Sequence, residues 1–233
     1  MNLAVIPARG GSKRIPRKNI KAFAGKPIIA YSIEAALRSE LFQDVVVSTD
    51  DSEIADIAKQ FGASVPFMRP PELADDYAGT LEVIAHAITE ISRLWRTQPD
   101  YTCCIYATAP LIQVQDIVQG YNLLKTKNKY YAFPVTSFSF PVQRAIKFTD
   151  DGAIEPFYPE YQNTRSQDLE PAYHDAGQFY WGKSDAFLSM HSMDNDHAIP
   201  IPIPRYRVQD IDTEEDWKQA EILYTCLKPT FRK

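Results

Sequence analysis

The stretch Asn2-Leu-Ala-Val-Ile-Pro-Ala8-Arg9-Gly10-Gly11-Ser12-Lys13 decides how the chain is read. An apolar, strand-like run empties into a glycine-rich basic loop, which Arg14, Arg17, Lys18 and Asn19 extend. Such a loop suits phosphates. Gly10 and Gly11 lack the Cβ atoms that hold an oxyanion away from backbone N–H groups, while Arg9, Lys13 and Lys18 bring compensating charge. Neither G-x-x-x-x-G-K-[ST] nor G-x-G-x-x-G can be read here, which excludes a P-loop and a dinucleotide fingerprint. An ordinary basic surface turn is the competing reading, disfavoured by position. In open α/β sheets, ligands bind outside the carboxyl ends of strands, where this loop emerges.

Outward from the loop, strand-like and helix-like stretches alternate: Leu3–Ile6, Ile28–Leu37, Asp44–Ser48, Ser52–Phe61, Leu81–Trp95, Tyr101–Tyr106 and Gln115–Lys125. This order predicts βαβ units and an α/β fold with a parallel sheet. After about residue 130 the pattern becomes aromatic and β-rich, over Tyr130–Phe140, Arg144–Phe148 and Ala176–Trp181. Two of these segments read as an excursion from the main sheet. Ala198–Ile203, interrupted by Pro200 and Pro202, reads as an edge strand, because proline cannot donate to a ladder. Glu214–Leu227 reads as a closing amphipathic helix. With no repeat or linker visible, the expectation is one domain over residues 1–233.

The 233 residues suffice for a sizeable core. A formal net charge of −5 argues against nucleic acid as a partner. No apolar run reaches the roughly 18 residues of a membrane span, and no signal-like segment opens the chain, so a cytoplasmic location is expected. Cys103 and Cys104 stand side by side in an apolar strand, where they face opposite sides; with Cys226 they read as reduced structural thiols.

A second constellation is Gln209-Asp-Ile-Asp212, followed by Thr213-Glu-Glu-Asp216. Asp210 and Asp212 share one side of an extended segment, about 6.5–7 Å apart at Cα, near enough to share one hard cation or its waters. Mg²⁺ suits them, because it prefers oxygen ligands and bridges to phosphates. Helix capping by Asp212 or Thr213 explains the same residues, and capping and metal binding are compatible.

These residues resemble the cytidylyltransferases that activate sialic-acid-like sugars. The resemblance is carried in order by Ala8-Arg9-Gly-Gly11-Ser12-Lys13 with Lys18-Asn19, Gly25-Lys26-Pro27, Ser48-Thr49-Asp50, Arg69-Pro70 with Glu72-Leu73, Thr108-Ala-Pro110-Leu111, and Asp210-Ile-Asp212. It spans nearly the whole chain. The stretch Arg165 to Trp181 resembles the branch that uses pseudaminic acid, and Tyr106 and Ala176-Gly177-Gln178 depart from ordinary sialate enzymes.

The resemblance implies a three-layer αβα, Rossmann-like nucleotidyltransferase fold with a mostly parallel sheet. It also implies a protruding β-rich arm, over roughly residues 137–180, that serves substrate binding and dimerisation. The implied reaction is attack of a sugar's anomeric hydroxyl on the α-phosphorus of CTP, giving a CMP-sugar and pyrophosphate. Arg9, Lys13, Lys18 and Asp212 would then be catalytic. Ala8, Gly10, Gly11, Ser12, Asn19, Arg69 and Thr80 would join Arg9, Lys13 and Lys18 around the nucleotide; a surface salt bridge and a helix cap equally explain Arg69 and Thr80. Asp210 and Asp212 would hold Mg²⁺. Tyr106, Gln143, Arg144, Arg165, Gln167, Tyr173, His174 and Gln178 would meet a nine-carbon sugar acid, an arginine being suited to its carboxylate. Aromatics including Phe138, Phe140, Phe157, Tyr158, Phe179 and Trp181 suit either a pocket for acetamido methyls or packing.

The resemblance further implies a homodimer and a role in bacterial surface-glycan or flagellin glycosylation. Legionaminic and N-acetylneuraminic acid are alternative substrates for the same chemistry. A non-catalytic nucleotide-binding regulator is the reading from another class.

Overall fold

A computed structural model describes residues 1–75, 78–193 and 195–227. The first half runs β1 (Asn2–Pro7), a short pair β2 (Ala22–Phe23) and β3 (Lys26–Pro27), α1 (Ile29–Arg38), β4 (Asp44–Ser48), α2 (Ser52–Gln60), α3 (Thr80–Trp95), β5 (Tyr101–Ile105) and α4 (Val114–Thr126). The second runs β6 (Tyr131–Ser137), β7 (Ile146–Phe148), β8 (Ile154–Pro156), β9 (Tyr173–Asp175), β10 (Phe179–Lys183), α5 (Ser184–Leu188), β11 (Ala198–Pro202) and α6 (Glu214–Leu227).

The main sheet has the order β11-β6-β10-β5-β1-β4, with β9 paired to β6. β1 is parallel to both β4 and β5, and β11 to β6, while β10 is antiparallel to its two neighbours. Five of the six strands in that row therefore share a direction. β10 runs against them because the chain leaves β6 through the arm and returns by a reversal, not through a crossover helix. The mostly parallel sheet expected from the sequence is present, and of the three β-rich segments after residue 130 Ala176–Trp181 returns to it. Its strand, displaced to Phe179–Lys183, lies in mid-sheet.

β1 shows why the core has two halves. Ala4 and Ile6 face a cluster that includes Ile29 and Ile33 of α1, Ile54 of α2 and Ile117 of α4. Leu3 and Val5 face Ile84, Ile88 and Ile91 of α3 and Phe187 of α5. Alternation along a strand buried on both sides thus produces helix, sheet and helix layers. Cys103 and Cys104 divide between the same two clusters, and burial pushes both thiols up. Phe179 and Trp181 are fully buried, and the Trp181 indole donates to the Ile117 carbonyl at 2.9 Å. Of the two explanations for these aromatics, packing is the one realised.

β11 lies at the sheet edge, as its prolines require. The β2–β3 turn, with Ala24 and Gly25 at φ of 46° and 104°, and the five-residue α5 were not anticipated from the sequence. The arm between β6 and β10 carries the β7–β8 hairpin, and its Phe140 and Phe148 are 80% and 85% exposed. No helix among the described residues is long and apolar enough to cross a membrane.

Candidate active site

The site begins with β1, β5 and the chain that follows each. Pro7 at the end of β1 and Ala107 and Thr108 beyond β5 wall a cavity of about 520 Å³, because parallel neighbours deliver their loops to one edge. Among the residues singled out in the sequence, Arg9, Ser12, Lys13, Lys18, Asn19, Arg69, Thr80 and Tyr106 line it. Arg14 also lines it; its place in the basic loop was the available signal.

Ala8, Gly10 and Gly11 are not on the wall. Ala8 is fully buried, its N–H donating to the Ser48 carbonyl at 2.9 Å. The Gly10 N–H donates to Asp50 Oδ1 at 3.0 Å, and a Cβ there would fall 2.7 Å from Asp51 Oδ2. Close approach to a carboxylate thus accounts for a glycine at this position. Asn19 holds the loop, donating from Nδ2 to the Arg9 carbonyl at 2.9 Å.

Asp51 has three tasks. Its carboxylate caps α2 through the Ile54 N–H at 3.0 Å, accepts from both terminal nitrogens of Arg17, and packs against Gly10. Arg17 sits at φ 56°, a left-handed conformation, with Glu53 as a second partner at 2.5 Å. The Arg17 guanidinium holds the Asp51 carboxyl down to about 2.

Arg69 is buried, and its hydrogen bonds go to neutral oxygens. Nε donates to Ser48 Oγ at 3.1 Å, Nη2 to the Ser48 carbonyl and Nη1 to the Leu73 carbonyl at 3.4 Å. Burial lowers its pKa to about 10, with nearby Arg9 acting in the same direction and Asp50 against it. A buried cation held by neutral acceptors on a cavity wall favours an anionic occupant. Neither an exposed position nor a surface salt bridge describes this arginine. Thr80 is the first residue of α3, whose N-cap is Gly79.

Ile211 explains the geometry of the acidic pair. It is fully buried with Ile15, Phe23 and Trp217, so alternation turns Asp210 and Asp212 away from that cluster. Edge-on contacts of Phe23 with Tyr31 and Trp217, at 5.6 and 5.5 Å between centroids, clamp α6 beneath the loop. Thr213 and Asp216 cap the helix reciprocally: Thr213 N–H donates to Asp216 Oδ2 at 2.7 Å, and Asp216 N–H donates to Thr213 Oγ1 at 3.2 Å. Capping therefore leaves the Asp212 side chain for other partners, Arg14 at 2.8 Å and Lys18 at 3.4 Å. Burial and the neighbouring Asp212 raise the Asp210 carboxyl.

The other expected sugar contacts are dispersed. Gln143 and Arg144 line a separate hollow of about 300 Å³ on the arm, Gln143 donating to the Glu170 carbonyl at 3.0 Å and Arg144 to that of Thr164. Arg165 pairs with Asp168 at 2.7 Å, and Gln167, Tyr173 and His174 are exposed. Gln178 is buried next to the cavity, its carbonyl accepting from the Tyr106 N–H at 2.9 Å. Sequence reasoning missed Asp175, which accepts from the Tyr180 hydroxyl at 2.8 Å, and the Arg207–Asp116 ion pair at 2.7 Å before the acidic segment.

The family model described as cytidylyltransferase matches residues 3–232. A pseudaminic acid cytidylyltransferase of Campylobacter jejuni is 46% identical over 223 residues, 96% of each chain. A CMP-N,N'-diacetyllegionaminic acid synthase of Legionella pneumophila is 32% identical over 228 residues, 95% of each. Among solved structures, a CMP:2-keto-3-deoxy-manno-octonic acid synthetase complexed with CTP matches with a TM-score of 0.69 at 17% identity, over 96% of this chain and 98% of that one, a likeness of fold. With a strand-end cavity lined by cations and a family match over almost its full length, the chain belongs to the cytidylyltransferase family.

Proposed function

We propose that this cytidylyltransferase transfers CMP from CTP to the anomeric hydroxyl of pseudaminic acid, releasing pyrophosphate. The observation that carries the nucleotide half is the buried Arg69 beside Arg9, Lys13 and Lys18 on one cavity wall. These cations and Ser12 bind and orient the triphosphate, since phosphoryl-type transfer depends on positioning and charge stabilisation. Lys18 reaches both the phosphate side and the acidic segment, so it fixes one relative to the other. The sugar assignment is supported by the relative named for pseudaminic acid and by the Arg165 to Trp181 stretch.

The donor set of Asp210 and Asp212 fits a hard divalent cation: two carboxylates next to each other at the cavity's basic loop, with Asp210 raised by burial and by the charge of Asp212. Mg²⁺ bound there supplies charge that offsets the polyphosphate and acidifies a coordinated hydroxyl. The chain's own part is to hold the two carboxylates through buried Ile211 and the Thr213–Asp216 cap.

Residues 1–233 form one cytidylyltransferase domain in this reading, with roughly 137–180 as its substrate and dimerisation arm. A homodimer would let Gln143, Arg144, Arg165, Gln167, Tyr173 and His174 reach sugar in the partner's cavity. Tyr106 and Gln178 meet it within the protomer. The reaction belongs in the cytoplasm, supplying surface-glycan or flagellin glycosylation. The test is pyrophosphate release from CTP and Mg²⁺ with pseudaminic, legionaminic and N-acetylneuraminic acids separately. Turnover with pseudaminic acid alone is expected; turnover with another acid alone moves the sugar assignment, and silence with all three overturns the reaction.

A further inference from the structure

Two cations share one oxygen of Asp212, and they are held differently. Lys18 Nζ, 3.4 Å from Asp212 Oδ1, also donates to the Ile211 carbonyl at 2.7 Å, and its side chain is only 19% exposed. A main-chain bond keeps it in place. Arg14 Nη2 lies closer to the same oxygen, at 2.8 Å, but its side chain is 67% exposed and it also lines the cavity. Arg14 is thus a long, solvated arm with a carboxylate at one end of its reach and the candidate triphosphate site within it.

A carboxylate oxygen with a guanidinium nitrogen 2.8 Å away is poorly placed to ligate a divalent cation at about 2.0–2.6 Å, because the two positive groups would lie within a few ångströms of each other. One of the two must yield. An exposed ion pair is weak and screened, so the guanidinium is the group that moves. Once released, its planar donors match phosphate oxygens in a bidentate fashion that an ammonium cannot reproduce.

We propose that Arg14 is a hand-off residue: it neutralises Asp212 until a divalent cation takes the carboxylate, and then binds the triphosphate. The inference rests on the reading of Asp210 and Asp212 as a cation site. It predicts coupling in both directions, since a nucleotide that draws Arg14 away tightens metal binding by the same factor as metal tightens nucleotide binding. The arginine next to Lys13 thereby acquires a role distinct from that of the tethered Lys18.

The test uses the full chain with Mn²⁺ as the probe, free Mn²⁺ being counted by electron paramagnetic resonance without nucleotide. Arg14→Gln removes the competitor, so Mn²⁺ should bind about two- to five-fold tighter than to wild type, the range set by an exposed ion pair. In the same variant KM for CTP at saturating metal should rise about ten-fold or more, the loss of a charge-assisted contact. Arg14→Lys should retain most of the competition for Mn²⁺ yet recover only part of the CTP binding. Unchanged or weaker Mn²⁺ affinity in Arg14→Gln, or an unchanged KM for CTP, overturns the hand-off. Asp212→Asn separates the two layers: if it loses Mn²⁺ while Arg14→Gln behaves as wild type, only the hand-off fails. If Asp212→Asn binds Mn²⁺ like wild type, the carboxylate reading fails and takes the hand-off with it.

Discussion

Lys18 Nζ donates to the main-chain carbonyl of Ile211 at 2.7 Å across 193 positions of sequence, with Asp212 Oδ1 at 3.4 Å. One lysine therefore ties the basic loop after β1 to the acidic segment before α6. Tethering through a carbonyl is less sensitive to the state of the carboxylate than an ion pair alone, so this register persists when Asp212 finds another partner. Asn19, bonded to the Arg9 carbonyl, fixes the other side of the same turn.

Lys18→Ala should therefore weaken both triphosphate binding and the loop's register. Loss of one charge-assisted contact in a partly buried site corresponds to about 1.5–3 kcal/mol, or roughly 10- to 100-fold in kcat/KM for CTP. Steady-state kinetics checks this, with a melting curve to show that the fold survives. Wild-type CTP kinetics in the variant would remove Lys18 from the site.

Asp212→Asn should retain the fold, since Thr213 and Asp216 provide the α6 cap without it. Its turnover should fall steeply at limiting Mg²⁺ and recover partly at high Mg²⁺. A Mg²⁺ titration of initial rate is the measurement, and identical half-saturation in variant and wild type would exclude Asp212 as a ligand.

How far sequence carried the site depended on the range of the interaction. The strand, the basic loop and the Asp-Ile-Asp alternation are local patterns, and each folded where its period placed it. The constraint that Asp51 places on Gly10 comes from 41 positions away in number, and nothing in the loop announces that neighbour. The burial of Arg69 is likewise produced by contacts with Ser48 and Leu73 that its local sequence does not announce. The apolar run of β10 suits an arm and a central strand equally. Only the return path of the chain decides between them.

Asp51 makes a prediction whose sign follows from its lowered carboxyl. With a folded value of about 2 and an unfolded value near 3.9, its ionised form contributes stability above about pH 4. That contribution disappears as pH falls through about 2. Asp51→Asn, which can still cap α2, should be less stable than wild type by about 1 kcal/mol at pH 7, a figure discounted for the solvent exposure of Arg17. The difference should shrink between about pH 4 and pH 2. Denaturant melts across that range test it, and a difference independent of pH would show that the charge contributes nothing.

Gly120 in α4 tests the packing between helix and sheet. A Cβ there would stand 2.8 Å from Trp181 Cδ1, 3.0 Å from Ile201 Cδ1 and 3.2 Å from Phe179 Cε2. Alanine gains about 1 kcal/mol of helix propensity, but overpacking a core commonly costs about 1–3 kcal/mol. Three large neighbours in a close-packed cluster cannot all move, so the clash should win. Gly120→Ala is expected to lower stability by about 1–2 kcal/mol in a denaturant melt, and a more stable variant would mean that α4 shifts freely on the sheet.

The arm supplies the last test, because exposed side chains as large as Phe140 and Phe148 are what a second copy of the chain would cover. Burying a phenylalanine contributes about 1.5–3 kcal/mol, so replacing both with aspartate removes enough to weaken a dimer by at least about 100-fold. Light scattering at micromolar concentration should find wild type dimeric and Phe140→Asp/Phe148→Asp monomeric. The cavity proposed for the nucleotide is built within one protomer, whereas Gln143, Arg144, Arg165 and His174 lie on the arm. The monomeric variant should therefore bind CTP with near wild-type affinity while its KM for the sugar acid rises about ten-fold or more, the cost of lost charge-assisted contacts. If the wild-type chain is itself monomeric, or if the monomeric variant keeps its sugar kinetics, the arm does not act across a dimer and its residues must be reassigned to packing within the protomer.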